Sequence, residues 1–243
     1  MTESPETSAA DPGPHQLQGQ VVFEDAEYLD AVVDLLGAIA YGELSAFERL
    51  VDDAGLAPSL RDKVEMCAMA SLEFGHVSRL HERLVQLGAD PFDAMAPFEA
   101  AIDLLHAHTA PADWYEGLIK AYVGDGLAAD FYREIAAYLD ADTRDLIVAS
   151  LADTGQASFA VRHIRQAIDA DPTLGGRLAL WGRRLMGEAL TQAQRVAAER
   201  DALTALLAGG IDRPGLDLAA IGRMFTRITE RHADRMAELG LSA

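Results

Sequence analysis

The chain has 243 residues, half of them apolar, enough for one sizeable core. Its formal net charge of −19 repels polyanions at long range, so a nucleic-acid partner would need a local basic face. A single cysteine, Cys67, excludes an internal disulfide and fits a reducing, cytoplasmic setting.

Ala, Leu, Glu, Asp and Arg dominate and β-branched runs are scarce, which favours an all-α protein. No run is long and apolar enough to cross a membrane, and the first twenty residues lack the basic and apolar regions of a secretory signal. Residues 1–22 are rich in Pro, Gly, Ser and Gln and are expected to form a disordered tail ahead of one helical domain over 23–243. Charge is uneven along the chain: residues 177–235 hold ten Arg against seven acids. That stretch is the place for a polyanion contact, although solvated faces and intrahelical pairs account for it more simply.

A helical pattern begins near Asp25, with Val32, Leu36, Ile39, Glu43, Phe47 and Leu50 at steps of three and four. Gly55 and Pro58 mark a turn. A second helix is expected over Ser59–Leu87, its stripe being Met66, Met69, Glu73, His76, Leu80, Leu84 and Leu87. Residues 88–112 read as a long crossover with a short helix near Phe98–His106. A third helix is expected over Asp113–Leu139, with Leu118, Ala121, Asp125, Ala128, Tyr132, Ile135 and Leu139 in line. A fourth would run from Asp142 to the stop at Asp171-Pro172, its stripe carrying Leu146, Ala149, Asp153, Gln156, Ala160, His163 and Ala167. Two more helices, over Leu174–Leu207 and from Asp217 to Leu239, should lean on the outside of a four-helix core.

Each stripe of the core contains polar intruders. The first gives Glu43, the second Glu73 and His76, the third Asp125, the fourth Asp153 and Gln156. Positions i and i+3 share a helix face, so Glu73 and His76 can address one ion, as can Asp153 and Gln156. Each half reads acid, about thirty residues, then acid-x-x-(His or Gln), the pattern of a carboxylate-bridged dinuclear iron or manganese site. Four carboxylates buried together must take up protons or a cation. Taken singly, each acid is as well explained as a partly solvated bundle residue, and His76 as a core histidine. Gly42, Gly75, Gly124, Gly126 and Gly155 abut these positions. A mid-helix glycine costs about 0.5–1 kcal/mol relative to Ala, which suggests that room is needed there. His163 and the tyrosines Tyr41, Tyr122 and Tyr132 fit packing roles. His106 and His108 are expected at the surface, and Glu188 is expected to pair with Arg183 or Arg184.

The stretches YGELSAFERL, LEFGHVSRLHERL, KAYVGDGLAADFYREIA, SLADTGQASF and WGRRLMGEALTQAQRV resemble the actinobacterial ferritin-like proteins grouped with the tRNA-modifying MiaE hydroxylases, over roughly residues 25–240. The resemblance implies a ferritin-like four-helix bundle with a long crossover between helices two and three and two added C-terminal helices. It implies a di-iron centre held by Glu43, Glu73, His76, Asp125, Asp153 and Gln156, with manganese as the other candidate metal. It further implies dioxygen, an external electron donor, and an organic or tRNA substrate to be hydroxylated, and it leaves room for a homo-oligomer. This chain departs from the family pattern in its second half, where Asp replaces Glu and Gln156 stands for a histidine, so unequal metal positions are expected. The competing class is a degenerate ferritin-like binding or scaffold module with a vestigial centre.

Overall fold

The computed structural model describes residues 26–151, 155–208 and 218–243; the polar tail expected at 1–22 lies outside them. Every regular element among the described residues is helical. Helix α1 (Ala26–Ala54) turns back through Gly55–Ser59 into α2 (Leu60–Gln86), forming a long hairpin. The crossover holds α3 (Pro91–Met95), a 3-10 turn (Ala96–Phe98) and α4 (Glu99–His108), more helix than the sequence suggested. Then come α5 (Trp114–Ala136), α6 (Ala141–Ser150), α7 (Gln156–Ala170), α8 (Leu174–Glu199), α9 (Asp201–Ala208) and α10 (Leu218–Glu238).

The starts follow capping chemistry. Ser59, Asp113 and Asp140 each accept from the backbone N–H three residues on, at 3.2, 3.0 and 2.9 Å, and Asp90 caps α3 ahead of Pro91.

Two expected helices are each broken. The fourth divides into α6 and α7, and Gly155 adopts φ +99° at the start of α7, a left-handed conformation that favours glycine. Gly155 is therefore a helix-start residue and not a mid-helix spacer. The helix expected over Leu174–Leu207 breaks at Arg200, and α9 folds onto α1, where Arg200 ion-pairs with Asp34. The third helix also buries a face the apolar pattern did not single out. Ile119, Val123, Leu127 and Asp130 are deeply buried, because α8 and α10 cover that side; of the expected stripe Leu118 is equally buried, while Ala121, Asp125, Ala128 and Tyr132 are half-buried.

Two apolar clusters form the core. One gathers Ile119, Val123, Phe159, Ile164, Leu185, Ile228 and Met236, with the ends of α1 and α2 at Leu50 and Met66. The other gathers Leu35, Leu36, Ile39, Leu80, Leu84, Met95, Ile147 and Leu206. On α1 and α2 the two clusters meet between Ala40 and Leu50 and between Ala70 and Leu80. Glu43, Glu73 and His76 stand at that junction.

Among the described glycines the tightest approach is at Gly37, where a Cβ would lie 2.1 Å from the Ala94 carbonyl oxygen. That oxygen is backbone and cannot swing aside. Gly37→Ala is expected to cost about 2–4 kcal/mol in chemical denaturation. Gly75, which has open space around it, provides the contrast: Gly75→Ala should stabilise by about 0.5–1 kcal/mol.

The arginines of the C-terminal third lie mostly at the surface but are engaged by acids and carbonyls. Arg177 binds Asp113 and Glu116; Arg227 and Arg231 bind Glu134; Arg235 meets Asp130. Arg183 and Arg184 donate to the Ser242 and His108 carbonyls. Glu188 pairs with His108 at 3.1 Å, not with Arg183 or Arg184, whose guanidiniums already donate to backbone carbonyls. No helix among the described residues is long and apolar enough to cross a membrane.

Candidate metal centre

The stripe of α1 brings Glu43 inward one turn beyond Ile39, and α2 brings Glu73 and His76 onto its buried face. Glu73 is 8 % exposed and His76 5 %; the Glu43 side chain is 12 % exposed. His76 Nδ1 lies 3.4 Å from Glu43 Oε2 and 3.3 Å from Glu73 Oε2. One potential ligand atom from each of the three falls within 4.8 Å of the others.

The electrostatics follow from that crowding. Hydrogen bonds to Glu43 and Glu73 raise the His76 imidazole to about 9, against the opposing effect of burial. Burial raises the Glu43 carboxyl to about 7; its bond to His76 pulls it down and the Glu73 charge pushes it up. The metal-free trio is thus a proton trap, and a divalent cation could take the proton's place.

Gln156, first residue of α7, donates its amide N–H to Glu73 Oε1 at 2.7 Å. Its Oε1 is buried without a partner. Of the six residues read as ligands, the fold brings together Glu43, Glu73 and His76, with Gln156 joined through Glu73. Asp125 is half-buried on α5 and does not belong to the trio. Asp153 lies outside the described residues.

Tyr132 approaches from the α5 side. A Cβ on Gly42 would sit 3.2 Å from its hydroxyl, which explains the small residue next to Glu43. Burial raises the Tyr132 phenol, and the charges of Glu43 and Asp125 add to the effect, so the hydroxyl keeps its proton. Gly126 has a different reason: a Cβ there would strike the Arg235 side chain at 2.6 Å. His163 packs against Phe159 and Trp114 and pairs with Asp62 at 3.4 Å, consistent with a packing role. His106, expected at the surface, is half-buried and meets Ser45 at 3.0 Å, because α4 lies along α1.

Two carboxylates and an imidazole, backed by an amide that anchors one carboxylate, suit an oxygen- and nitrogen-preferring divalent ion such as iron or manganese. The buried, unbonded Gln156 oxygen beside Glu73 marks the same point as short of one positive or proton-bearing partner.

Comparison with known proteins agrees with this architecture. Among solved structures, a Synechococcus protein described as having aldehyde deformylating oxidase activity superposes with a TM-score of 0.69. The alignment covers 92 % of this chain and 95 % of that one at 20 % identity, a likeness of fold. A search of the curated proteins gives no significant match. The family model for the ferritin-like domain of actinomycetes matches residues 26–210, which takes in α1 to α9 and every candidate ligand. The chain belongs to that actinomycete ferritin-like family.

Proposed function

We propose that this protein is an iron-dependent oxidoreductase that uses dioxygen and an external electron donor to hydroxylate a small organic substrate. The observation that carries the reading is the buried convergence of Glu43, Glu73 and His76 from two helices, with Gln156 locked onto Glu73. When bound, iron supplies the one-electron chemistry that dioxygen activation needs. The chain's own residues do the rest. Gln156 holds the Glu73 carboxylate in one orientation, and apolar clusters on both sides keep bulk water away. Tyr132 holds its proton beside Glu43.

A second ion would draw on Asp125 and Asp153. Both are one methylene shorter than Glu, so the first position is the tighter of the two. Protein purified from iron-fed cells without chelators should carry at least one iron per chain; a metal-free preparation that resists reconstitution would sink the proposal.

The substrate side favours a small, mostly apolar molecule. A groove of about 330 Å³ is lined by Tyr41, Leu44, Phe74 and Val77, each within two residues of a trio member, and by Phe92 and Met95 from α3. The tRNA alternative finds less support, since eight arginines of the basic stretch are engaged: Arg177, Arg195, Arg200, Arg227, Arg231 and Arg235 with acids, and Arg183 and Arg184 with carbonyls. Filter binding at low and moderate salt is expected to show no salt-sensitive retention of tRNA.

A further inference from the structure

A polar seam runs down the face of α1 that the metal-site residues leave free. Tyr41, Ser45, Arg49 and Asp53 recur every fourth residue and so share one side of the helix. Helices α4 and α5 close over it. Tyr41 donates to Asp103 at 2.8 Å, and Ser45 Oγ meets His106 Nε2 at 3.0 Å.

Below these two pairs the bonding stops. Lys120 of α5 is 8 % exposed, and its ammonium makes no hydrogen bond. Arg49 Nε and His106 Nδ1 are likewise buried without partners. The outer nitrogens of Arg49 lean away, to Asp52 at 3.4 Å and Glu48 at 3.8 Å. The acid at this depth is Asp53, buried against Gly117, where a Cβ would come within 3.0 Å of its carboxylate. Elsewhere Arg177, Arg200 and Arg235 reach acids directly. The seam instead leaves the Lys120 ammonium and Arg49 Nε unbonded although Asp53 and Asp103 line it, and a buried charged donor left without an acceptor is costly.

We propose that this seam between α1, α4 and α5 seats a small carboxylate anion of the size of formate or acetate, with Lys120 as its charge partner. Arg49 Nε flanks it as a second donor. The neighbouring charges agree with an anion-hungry seat. Burial, then Lys120 and Arg49, lower His106 to about 4, with Asp103 opposing. Burial lowers Lys120 to about 8, with Arg49 adding and Asp53 opposing. Burial raises Asp53 to about 6, with Asp52 adding and Lys120 and Arg49 opposing. A seated anion would raise both His106 and Lys120.

The test uses the full chain stripped of metal, so that its outcome is separate from that of the metal centre. Sodium formate and sodium acetate are titrated against sodium chloride at constant ionic strength, with thermal unfolding and histidine-ring NMR as readouts. The wild-type Tm should rise by about 3 °C or more, and the His106 titration should move upward by roughly one pH unit or more. Lys120→Met should fold and show neither response, while Asp53→Asn should keep both. The idea is overturned by a wild type indifferent to carboxylates or by an equal rise in Lys120→Met. It is also overturned if Asp53→Asn unfolds, since Asp53 would then be the structural counter-ion of Lys120.

Discussion

Glu73→Ala is expected to abolish metal-dependent stabilisation while leaving the helical fold in place. Glu73 is the hub of the centre: it faces His76 at 3.3 Å and receives the Gln156 amide at 2.7 Å. Its removal leaves Glu43 and His76, too few protein ligands to hold a divalent ion firmly. In the metal-free chain the change is mild, because the Glu73 charge pushes up the neighbouring Glu43 carboxyl and that repulsion goes too. The difference therefore appears on adding metal. At about a thousand times Kd, an ion bound only by the folded state adds about 4 kcal/mol, a Tm rise of roughly 10 °C for a chain of this size. Wild-type protein titrated anaerobically with ferrous or manganous ion should show that rise and lose it to a chelator; Glu73→Ala should show none. Gln156→Ala should weaken binding about tenfold or more, by freeing Glu73 to rotate. His76 holds a proton up to about pH 9 in the metal-free chain and must give it up to ligate, so binding should tighten as pH rises from 6 to 9. A rise in Glu73→Ala equal to that of the wild type would remove the trio from consideration.

The trio was legible because its signal is local. A Glu and a His three apart inside an otherwise apolar stripe share one helix face, a hint that the matching acid on α1 strengthens, and α2 buries that stripe as the periodicity requires. The second half was harder to read, since the apolar spacing through Ala149, Gln156 and Ala160 continues in phase across a real break. Only the left-handed glycine at 155 marks the break, and a glycine in a helical pattern is ambiguous between spacer and cap. The placement of Asp125 relative to Glu43 depends on which side of α5 the C-terminal helices cover, a long-range outcome. The seam at Lys120 was missed for a related reason: its four residues on α1 are ordinary surface types, and only the closure of α4 and α5 buries them. The one local hint was a lysine inside the apolar run Gly117–Val123.

The docking of α10 depends on another contact that spacing did not reveal, and Asp130→Ala is expected to produce the largest loss of stability in the molecule. The Asp130 side chain is 1 % exposed and faces three guanidiniums: Arg235 at 2.7 Å, Arg231 at 3.4 Å and Arg133 at 3.5 Å. Arg235 is itself largely buried, and its contact with Asp130 is an ion contact off the hydrogen-bond axis, so its stabilisation is chiefly charge on charge. Gly126 has no side chain to obstruct this approach. Without Asp130, Arg235 would be a buried cation with no acid, and breaking such a pair from one side costs about 3–5 kcal/mol. For this size of chain that is a Tm loss of roughly 10 °C, read by calorimetry. Removing both charges should recover much of it, because an apolar pair of similar volume avoids the desolvation of either ion. The double variant Asp130→Leu with Arg235→Met is therefore expected to be more stable than Asp130→Ala alone, with a coupling energy of about 1–3 kcal/mol in the mutant cycle. Additive losses across that cycle would show that α10 is held by Ile228 and Met236 in the apolar cluster, with the ion contact incidental.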